Sequence, residues 1–425
     1  MGKDLYYTAI DLGTSKVCCI VARVGAEGEL KILGTGITPS QGIQKGRIEE
    51  IEAVEVAIRA SLADAQRYIG SHVISGAYVS VSGTHITCLN TKDVLTNGSD
   101  LDSISSHDLQ KLVQSTLPQI ESSQEVLHVI PIGYAVDGLS EVRNPLGLHA
   151  KQIEVESHVV VGDATALKNT VKAVEACGVS VKSLVLQSLA SAEATLTGDE
   201  REMGVVLADI GGGTTDIAIF RQGNPWYTAV IPVGGNQLTR DLSVAMQVPF
   251  YLAEELKVKW GHAMPESTKS DEEVVVPSFQ GQPRRIVKRR ALCEALRARA
   301  VEMLAQILQQ VRKAGLRQMP PGGLVLTGGS AAMPGLRELA LQSLGDPVRI
   351  AYPLGIAGLP SQLKKPAYST SVGILLWGIK HQGEGRSYRN GERPSWSYKS
   401  LMHRVPRFKR PLKQPEAAAV ATQNT

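Results

Sequence analysis

Two stretches of this 425-residue chain repeat one device: Asp11-Leu12-Gly13-Thr14-Ser15-Lys16 near the start and Asp209-Ile210-Gly211-Gly212-Gly213-Thr214-Thr215-Asp216 in mid-chain. Apolar, β-branched runs flank both, Tyr7 to Ile10 and Val17 to Val21 around the first, Val205 to Leu207 and Ile217 to Phe220 around the second. That is the pattern of strand, tight turn, strand. Glycine permits positive φ and removes the side chain that would hold a ligand off the backbone. A turn rich in Gly, Ser and Thr therefore gathers N–H groups and hydroxyls in a concavity suited to an anion such as phosphate. The aspartate that opens each turn can hold a divalent cation, through water in the case of Mg²⁺. Two such hairpins facing each other would grip a Mg-nucleotide from both sides. One of them alone reads equally well as an ordinary turn; the repetition is what constrains the fold.

A third segment joins them, Val325-Leu326-Thr327-Gly328-Gly329-Ser330 followed by Met333-Pro334-Gly335-Leu336 and a helical pattern. A buried strand running into Gly-Gly-Ser would pass its backbone close to a flat ligand such as adenine. The sequence has no Gly-x-x-x-x-Gly-Lys-Ser/Thr, which excludes a P-loop, and no Gly-x-Gly-x-x-Gly opens a helix.

In this order the motifs resemble the superfamily of actin, hexokinase and the heat-shock chaperone ATPases: two phosphate hairpins, then an adenosine motif. Within it the chain resembles the FtsA family of bacterial cell-division proteins. The narrower likeness rests on Gly42-Ile43-Gln44-Lys45-Gly46-Arg47-Ile48, Val81-Ser82-Gly83-Thr84-His85-Ile86, Leu127-His128-Val129-Ile130-Pro131 and Val136-Asp137-Gly138. Arg143-Asn144-Pro145-Leu146-Gly147, Ala253-Glu254-Glu255-Leu256-Lys257 and Pro366-Ala367-Tyr368-Ser369-Thr370 continue it, so that it runs from about Tyr6 to Lys380.

Bulk properties agree with a folded, multidomain chain. Its length allows more than one domain, and 43% hydrophobic residues can bury a core. No apolar run reaches the ~18–20 residues that span a bilayer. The start, Met1-Gly2-Lys3-Asp4-Leu5-Tyr6, fits neither a signal peptide nor, with Tyr6 where Ser or Thr is needed, a myristoylation signal. The five cysteines, Cys18, Cys19, Cys88, Cys177 and Cys293, are scattered in apolar stretches and read as buried thiols of a reducing compartment. Asn97-Gly98-Ser99 matches a glycosylation sequon and reads as a turn. Charge is unevenly placed. From Gln382 onward nine Lys/Arg face three Glu, a net of +6, against +4 for the whole chain, so the body carries −2. A basic tail on a near-neutral body points to an anionic surface as the tail's partner.

The organisation expected is α/β: two actin-like, ribonuclease H-like halves around a nucleotide cleft, each with an inserted subdomain, then a linker and an amphipathic tail. The first core occupies 5–85, 162–204 and 361–380, with an FtsA-type subdomain at 86–161. The second occupies 205–235 and 313–360, with an insert at 236–312 as the candidate FtsZ-binding part. A flexible linker is expected over 381–395, a membrane-targeting segment over 396–413 and a disordered tail over 414–425. Helical spacing of Val54, Ile58, Leu62 and Ala65 predicts a helix from about Ile51 to Tyr68. Two helices are rich in small residues, Ala190-Ser191-Ala192 with Ala194, and Ser369-Thr370-Ser371 with Gly373. Close crossing at a hinge under the cleft and tight static packing both explain them. The run Arg284-Arg285-Ile286-Val287-Lys288-Arg289-Arg290 lacks interleaved aromatics, so a solvated hairpin face is favoured over nucleic acid.

The resemblance also implies roles. Gly13, Thr14, Ser15 and Lys16 would meet the outer phosphates from one half, Gly211, Gly212, Gly213, Thr214 and Thr215 from the other. Asp11 and Asp209 would position Mg²⁺ through water. Gly235 and Asn236 resemble a further phosphate-side turn, and Gly328, Gly329 and Ser330 the adenosine motif. Glu254 and Lys257, one helical turn apart, can reach ribose and adenine together; a surface ion pair is the other reading. For hydrolysis a group must orient or activate water. Gln187 stands where chaperone relatives carry a glutamate, and an amide orients water without accepting its proton. Asp216 is the other candidate, or only a brace. Tight ATP binding with slow turnover is the expectation.

In the tail, Leu401, Val405, Phe408 and Leu412 fall on one helical face, with Trp396 and Met402 adding apolar surface. Arg404, Arg407, Lys409, Arg410 and Lys413 supply the cations. Such a segment suits a bilayer interface, each basic residue near anionic lipid adding ~1 kcal/mol. Pro406 and Pro411 oppose a continuous helix. The family resemblance implies a division protein that binds ATP with Mg²⁺, self-associates, and tethers FtsZ to the inner face of the cell membrane alongside other division proteins, with no nucleic acid. A pilus-assembly relative and a small-molecule kinase on the same fold are the rivals.

Overall fold

The computed structural model describes residues 4–96, 103–276, 285–381, 384–387 and 395–398. The chain opens with β1 (Leu5–Leu12), β2 (Lys16–Val24) and β3 (Leu30–Pro39), an antiparallel meander whose first turn is the Gly13 hairpin. A short hairpin, β4 (Ile43–Gln44) and β5 (Arg47–Ile48), leads into α1 (Ile51–Gln66). α1 buries Val54, Ile58, Leu62 and Ala65 as their spacing predicts. It ends two residues before Tyr68. β6 (Gly76–Val81) then pairs parallel to β1.

An insertion follows. β7 (Thr87–Thr96), α2 (Ser106–Ser115), β8 (Gln124–Val136), β9 (Leu139–Val142) and β10 (Gln152–Asp163) build a sheet ordered β7-β10-β8-β9. It has its own apolar core of Leu109, Leu112, Val113, Ile153, Val155 and Val159. α2 starts on a reciprocal capping box between Ser105 and Asp108, which satisfies N–H groups that the helix cannot bond itself. The chain returns through α3 (Ala164–Glu175) to β11 (Ser180–Leu186), which pairs parallel to β6, and α4 (Gln187–Thr195) and α5 (Gly198–Met203) close the segment.

The second half repeats the first. β12 (Val205–Ile210), β13 (Thr215–Arg221) and β14 (Asn224–Ile231) form the meander. After α6 (Gly235–Met246), α7 (Phe250–Trp260), the hairpin β15 (Glu273–Val276) and β16 (Arg285–Lys288), and α8 (Arg289–Lys313), β17 (Leu324–Thr327) pairs parallel to β12. α9 (Leu336–Leu344) and β18 (Val348–Ile350) complete it. The two five-stranded sheets read β11-β6-β1-β2-β3 and β14-β13-β12-β17-β18. From the meander outward both follow one topology, so the paired hairpins of the sequence are equivalent corners of two equivalent sheets. Each strand at the centre is buried on both faces, which is why its sequence is a continuous apolar run.

α10 (Ser369–Lys380) comes back to the first half and crosses α4 at van der Waals distance. A Cβ on Gly373 would lie 1.8 Å from the Ala190 carbonyl oxygen; only glycine allows this approach. From Arg285 onward the basic run lies on β16 and the start of α8, where Lys288 pairs with Glu273 (3.0 Å), Arg289 with Glu272 (2.9 Å) and Arg290 with Glu294 (3.5 Å); Arg284 lies outside the described residues. All five cysteines are free thiols. Within 381–395, expected as a flexible linker, the structure forms β19 (Glu384–Ser387), antiparallel to β20 (Ser395–Tyr398). Pairing of two short backbone segments leaves no trace in a polar composition. Trp396 lies in β20, and Leu401, Met402, Arg404, Val405, Arg407, Phe408, Lys409, Arg410, Leu412 and Lys413 fall outside the described residues. Among the described residues no helix is long and apolar enough to cross a membrane.

Candidate functional site

Where the two sheets meet, three buried aspartates converge. Asp11, at the end of β1, accepts hydrogen bonds from Ser80 Oγ (3.0 Å) and Ser371 Oγ (2.6 Å). Asp209, on β12, accepts from Thr370 Oγ1 (2.7 Å) and from Ser191 Oγ. Asp216, paired with Asp209 across the β12–β13 ladder, accepts from Ser82 Oγ (2.6 Å) and Thr214 Oγ1 (2.9 Å). Hydroxyls thus carry the desolvation of the carboxylates, since among the described residues no basic side chain bonds them directly. Burial raises the Asp209 pKa despite the bonds from Ser191 and Thr370. It pushes Asp216 up to about 7, with the neighbouring Asp209 and Asp11 charges adding to the effect. The donors are all oxygen, the chemistry of a hard divalent cation, and a cation beside Asp209 would relieve the strain of burying its charge.

The two hairpin turns are closed in the same way, Gly13 N to Lys16 O (3.0 Å) and Gly211 N to Thr214 O (2.9 Å). They face each other across the cleft. A Cβ on Gly213 would lie 2.6 Å from Thr14 Oγ1, and one on Gly212 3.6 Å from Ser15 Cβ. Between them lies a cavity of about 60 Å³ lined by Asp11, Gly13, Thr14, Ser15, Lys16, Gln187, Asp209, Gly211, Gly212, Thr214, Gly328 and Gly329. That volume suits a few waters.

Other candidates sit around this cavity in bracing positions. Gly235 N donates to Gly211 O (2.9 Å) and Asn236 N to Gly212 O (2.7 Å), so these amides hold the second hairpin in place. Thr215 Oγ1 donates to Val233 O (2.8 Å). Ser330 Oγ donates to Gly211 O (2.9 Å), joining the adenosine motif to the same hairpin. Lys257 Nζ donates to Glu254 (2.7 Å), Thr239 Oγ1 (2.8 Å) and Gly235 O (3.2 Å). The i,i+3 pair therefore bridges α6 and α7 beside Gly235 and is more than a surface ion pair. Lys16 Nζ lies 4.9 Å from the Tyr368 ring centroid. Gln187 Nε2 donates to Ser80 Oγ (3.3 Å) and Leu12 O (3.4 Å), which aims the amide at the Asp11 hairpin.

Sequence reasoning missed the hydroxyl shell of Ser80, Ser82, Ser191, Thr370 and Ser371. A signal existed at the carboxyl end of the wholly buried strand β6, where Ser80 and Ser82, the residue just past the strand, are buried two positions apart. A buried hydroxyl needs a partner, and here Ser80 meets Asp11 while Ser82 meets Asp216.

A family model described as cell division protein FtsA matches residues 206–373, and one described as an SHS2 domain inserted in FtsA matches residues 83–161. The cell division protein FtsA of Pseudomonas aeruginosa is 37% identical over 384 residues, covering 89% of this chain and 90% of that protein. That of Escherichia coli (strain K12) is 36% identical over 391 residues, covering 90% and 91%. Among solved structures, the PilM–PilN type IV pilus biogenesis complex aligns with a TM-score of 0.63 at 16% identity, covering 88% of this chain and 98% of that one. MreB5 of Spiroplasma citri bound to ADP gives a TM-score of 0.50 at 12% identity, covering 88% and 96%. The structural likenesses establish the actin-like fold. With two duplicated sheets, the inserted SHS2 sheet and more than a third of the sequence shared over nine-tenths of the chain, this protein belongs to the FtsA family of cell division proteins.

Proposed function

We propose that this chain binds Mg-ATP between its two hairpins, self-associates, and tethers FtsZ to the inner face of the cytoplasmic membrane through its basic tail. The observation that carries the nucleotide reading is the convergence of Asp11 and Asp209, from different sheets, on one cavity flanked by two Gly-rich turns. Their oxygen chemistry and the raised pKa of Asp209 fit a Mg²⁺ bound through water. The closed cavity is too small for the nucleotide, so ATP would enter as the halves separate. Gln187 then orients water but cannot take its proton, and Asp216 is engaged by Ser82 and Thr214. Both features support slow turnover.

FtsZ binding is assigned to the second insert, 236–312. Its helices α6 and α7 expose Val244, Tyr251 and Val258, apolar side chains that favour a protein partner. The test is flotation of the purified full chain on anionic vesicles, with and without FtsZ and ATP. FtsZ should float only when this protein is present. FtsZ that stays unbound, or protein that ignores the vesicles, removes the tether.

A further inference from the structure

Between β3 and α1, β4 pairs with β5 across a two-residue turn, Lys45-Gly46. Both residues have positive φ, 46° and 77°. This is the type I′ pattern, whose first position favours Asn, Asp or Gly. Gly46 has a steric reason to be glycine, because a Cβ there would lie 2.6 Å from the Ser82 and Gly83 backbone. Lys45 has no such reason. A long side chain in the left-handed region raises the local energy, which directs attention to what the side chain can reach.

The turn sits at the phosphate end of the cleft. Gly46 lines the same cavity as Asp11, Asp209 and Gly212. The Lys45 amide nitrogen lies 3.2 Å from the position of a Cβ on Gly213. One side of the turn therefore rests on the first half, at Ser82 and Gly83, while the other touches the second hairpin. The Lys45 side chain is exposed. Of the other cations beside the cleft, Lys16 lies over the Tyr368 ring and Lys257 pairs with Glu254. A polyphosphate entering beside the Asp11 and Asp209 carboxylates is favoured by a further cation at its outer end.

We propose that Lys45 distinguishes triphosphate from diphosphate: when the halves close on ATP, its ammonium meets the terminal phosphate and the turn locks against the second hairpin. This rests on the ATP reading above. The test substitutes Lys45→Asn, a residue that the type I′ position prefers, with Lys45→Gly as a second fold-compatible variant and Lys45→Arg as the conservative one. Affinities of the full chain for fluorescent ATP and ADP analogues with Mg²⁺ are measured alongside the melting temperature. The expected result is an unchanged or higher melting temperature and ADP affinity within about twofold. ATP affinity should fall about tenfold or more, the scale of one charge-assisted bond, with Lys45→Arg keeping most of it. An unchanged ATP-to-ADP ratio in both Lys45→Asn and Lys45→Gly overturns the proposal alone. Wild-type protein that binds neither nucleotide overturns the ATP reading together with it.

Discussion

Ser82 donates a 2.6 Å hydrogen bond to Asp216, a residue 134 positions later, and the bond joins the first half to the second. Asp209 is held in the same way, by Ser191 and Thr370 from α4 and α10. Both buried carboxylates of the second half are thus gripped by hydroxyls of the first. These bonds tie the two halves together at the floor of the site.

Ser82→Ala removes one such bond and leaves Asp216 with Thr214 alone. A hydrogen bond to a charged partner contributes about 1.5–3 kcal/mol. Urea unfolding of the unliganded protein should show a loss of that order. An unchanged midpoint would mean that the bond contributes nothing in solution.

The Asp216 carboxyl makes stability depend on pH. Its folded pKa of about 7 exceeds its ordinary value of 3.8. Between about 4 and 7 the folded chain therefore keeps a proton that the unfolded chain has released. Its contribution is fully present below that window and declines as pH rises through it. Melting temperatures of wild type and Asp216→Asn should separate as pH rises from about 4 to 7 and stay a constant interval apart above that, with the asparagine variant the flatter in pH and the more stable above pH 7.

Gly373→Ala places a methyl on the Ala190 carbonyl, where the gap is 1.8 Å. Overpacking costs about 1–3 kcal/mol. The displaced helices carry Ser191, Thr370 and Ser371, so the Asp209 and Asp11 bonds loosen with them. A lowered melting temperature and weaker nucleotide binding should appear together in one variant.

At Gly212 an added Cβ makes ordinary contacts, 3.6 Å to both Asn236 Oδ1 and Ser15 Cβ. Gly212→Ala should therefore fold normally while keeping phosphate away from the hairpin backbone. Titration with a labelled ATP analogue should show affinity falling by tenfold or more, roughly one lost set of charge-assisted bonds. Wild-type affinity in this variant and in Asp209→Ala would exclude the site.

In the tail, Val405→Glu with Phe408→Glu replaces apolar burial, at ~25 cal/mol per Å², with charges repelled by anionic lipid. Vesicle binding should vanish while ATP and FtsZ binding persist. Salt should weaken the wild-type interaction only in part, because screening acts on its electrostatic component. Equal flotation of the double variant and wild type would remove the tail as the anchor.

Local chemistry was legible in the sequence. Both hairpins are closed by bonds three residues apart, so Gly and Thr at fixed positions were enough to place them. α1, the β15–β16 hairpin and the close crossing of the small-residue helices follow from spacing and side-chain size. The site's interior was decided by the tertiary structure. Ser371 reaches Asp11 across 360 residues, and Ser80 across 69. Read along the chain these are only small or polar residues. Whether a serine is filler or the partner of a buried charge depends on which strand end it faces, and packing settles that. The same holds for Lys45, one basic residue among many until the fold sets its turn against the second hairpin, and for the cleft itself. Motifs name its walls, but the distance between the walls comes from how the two sheets pack.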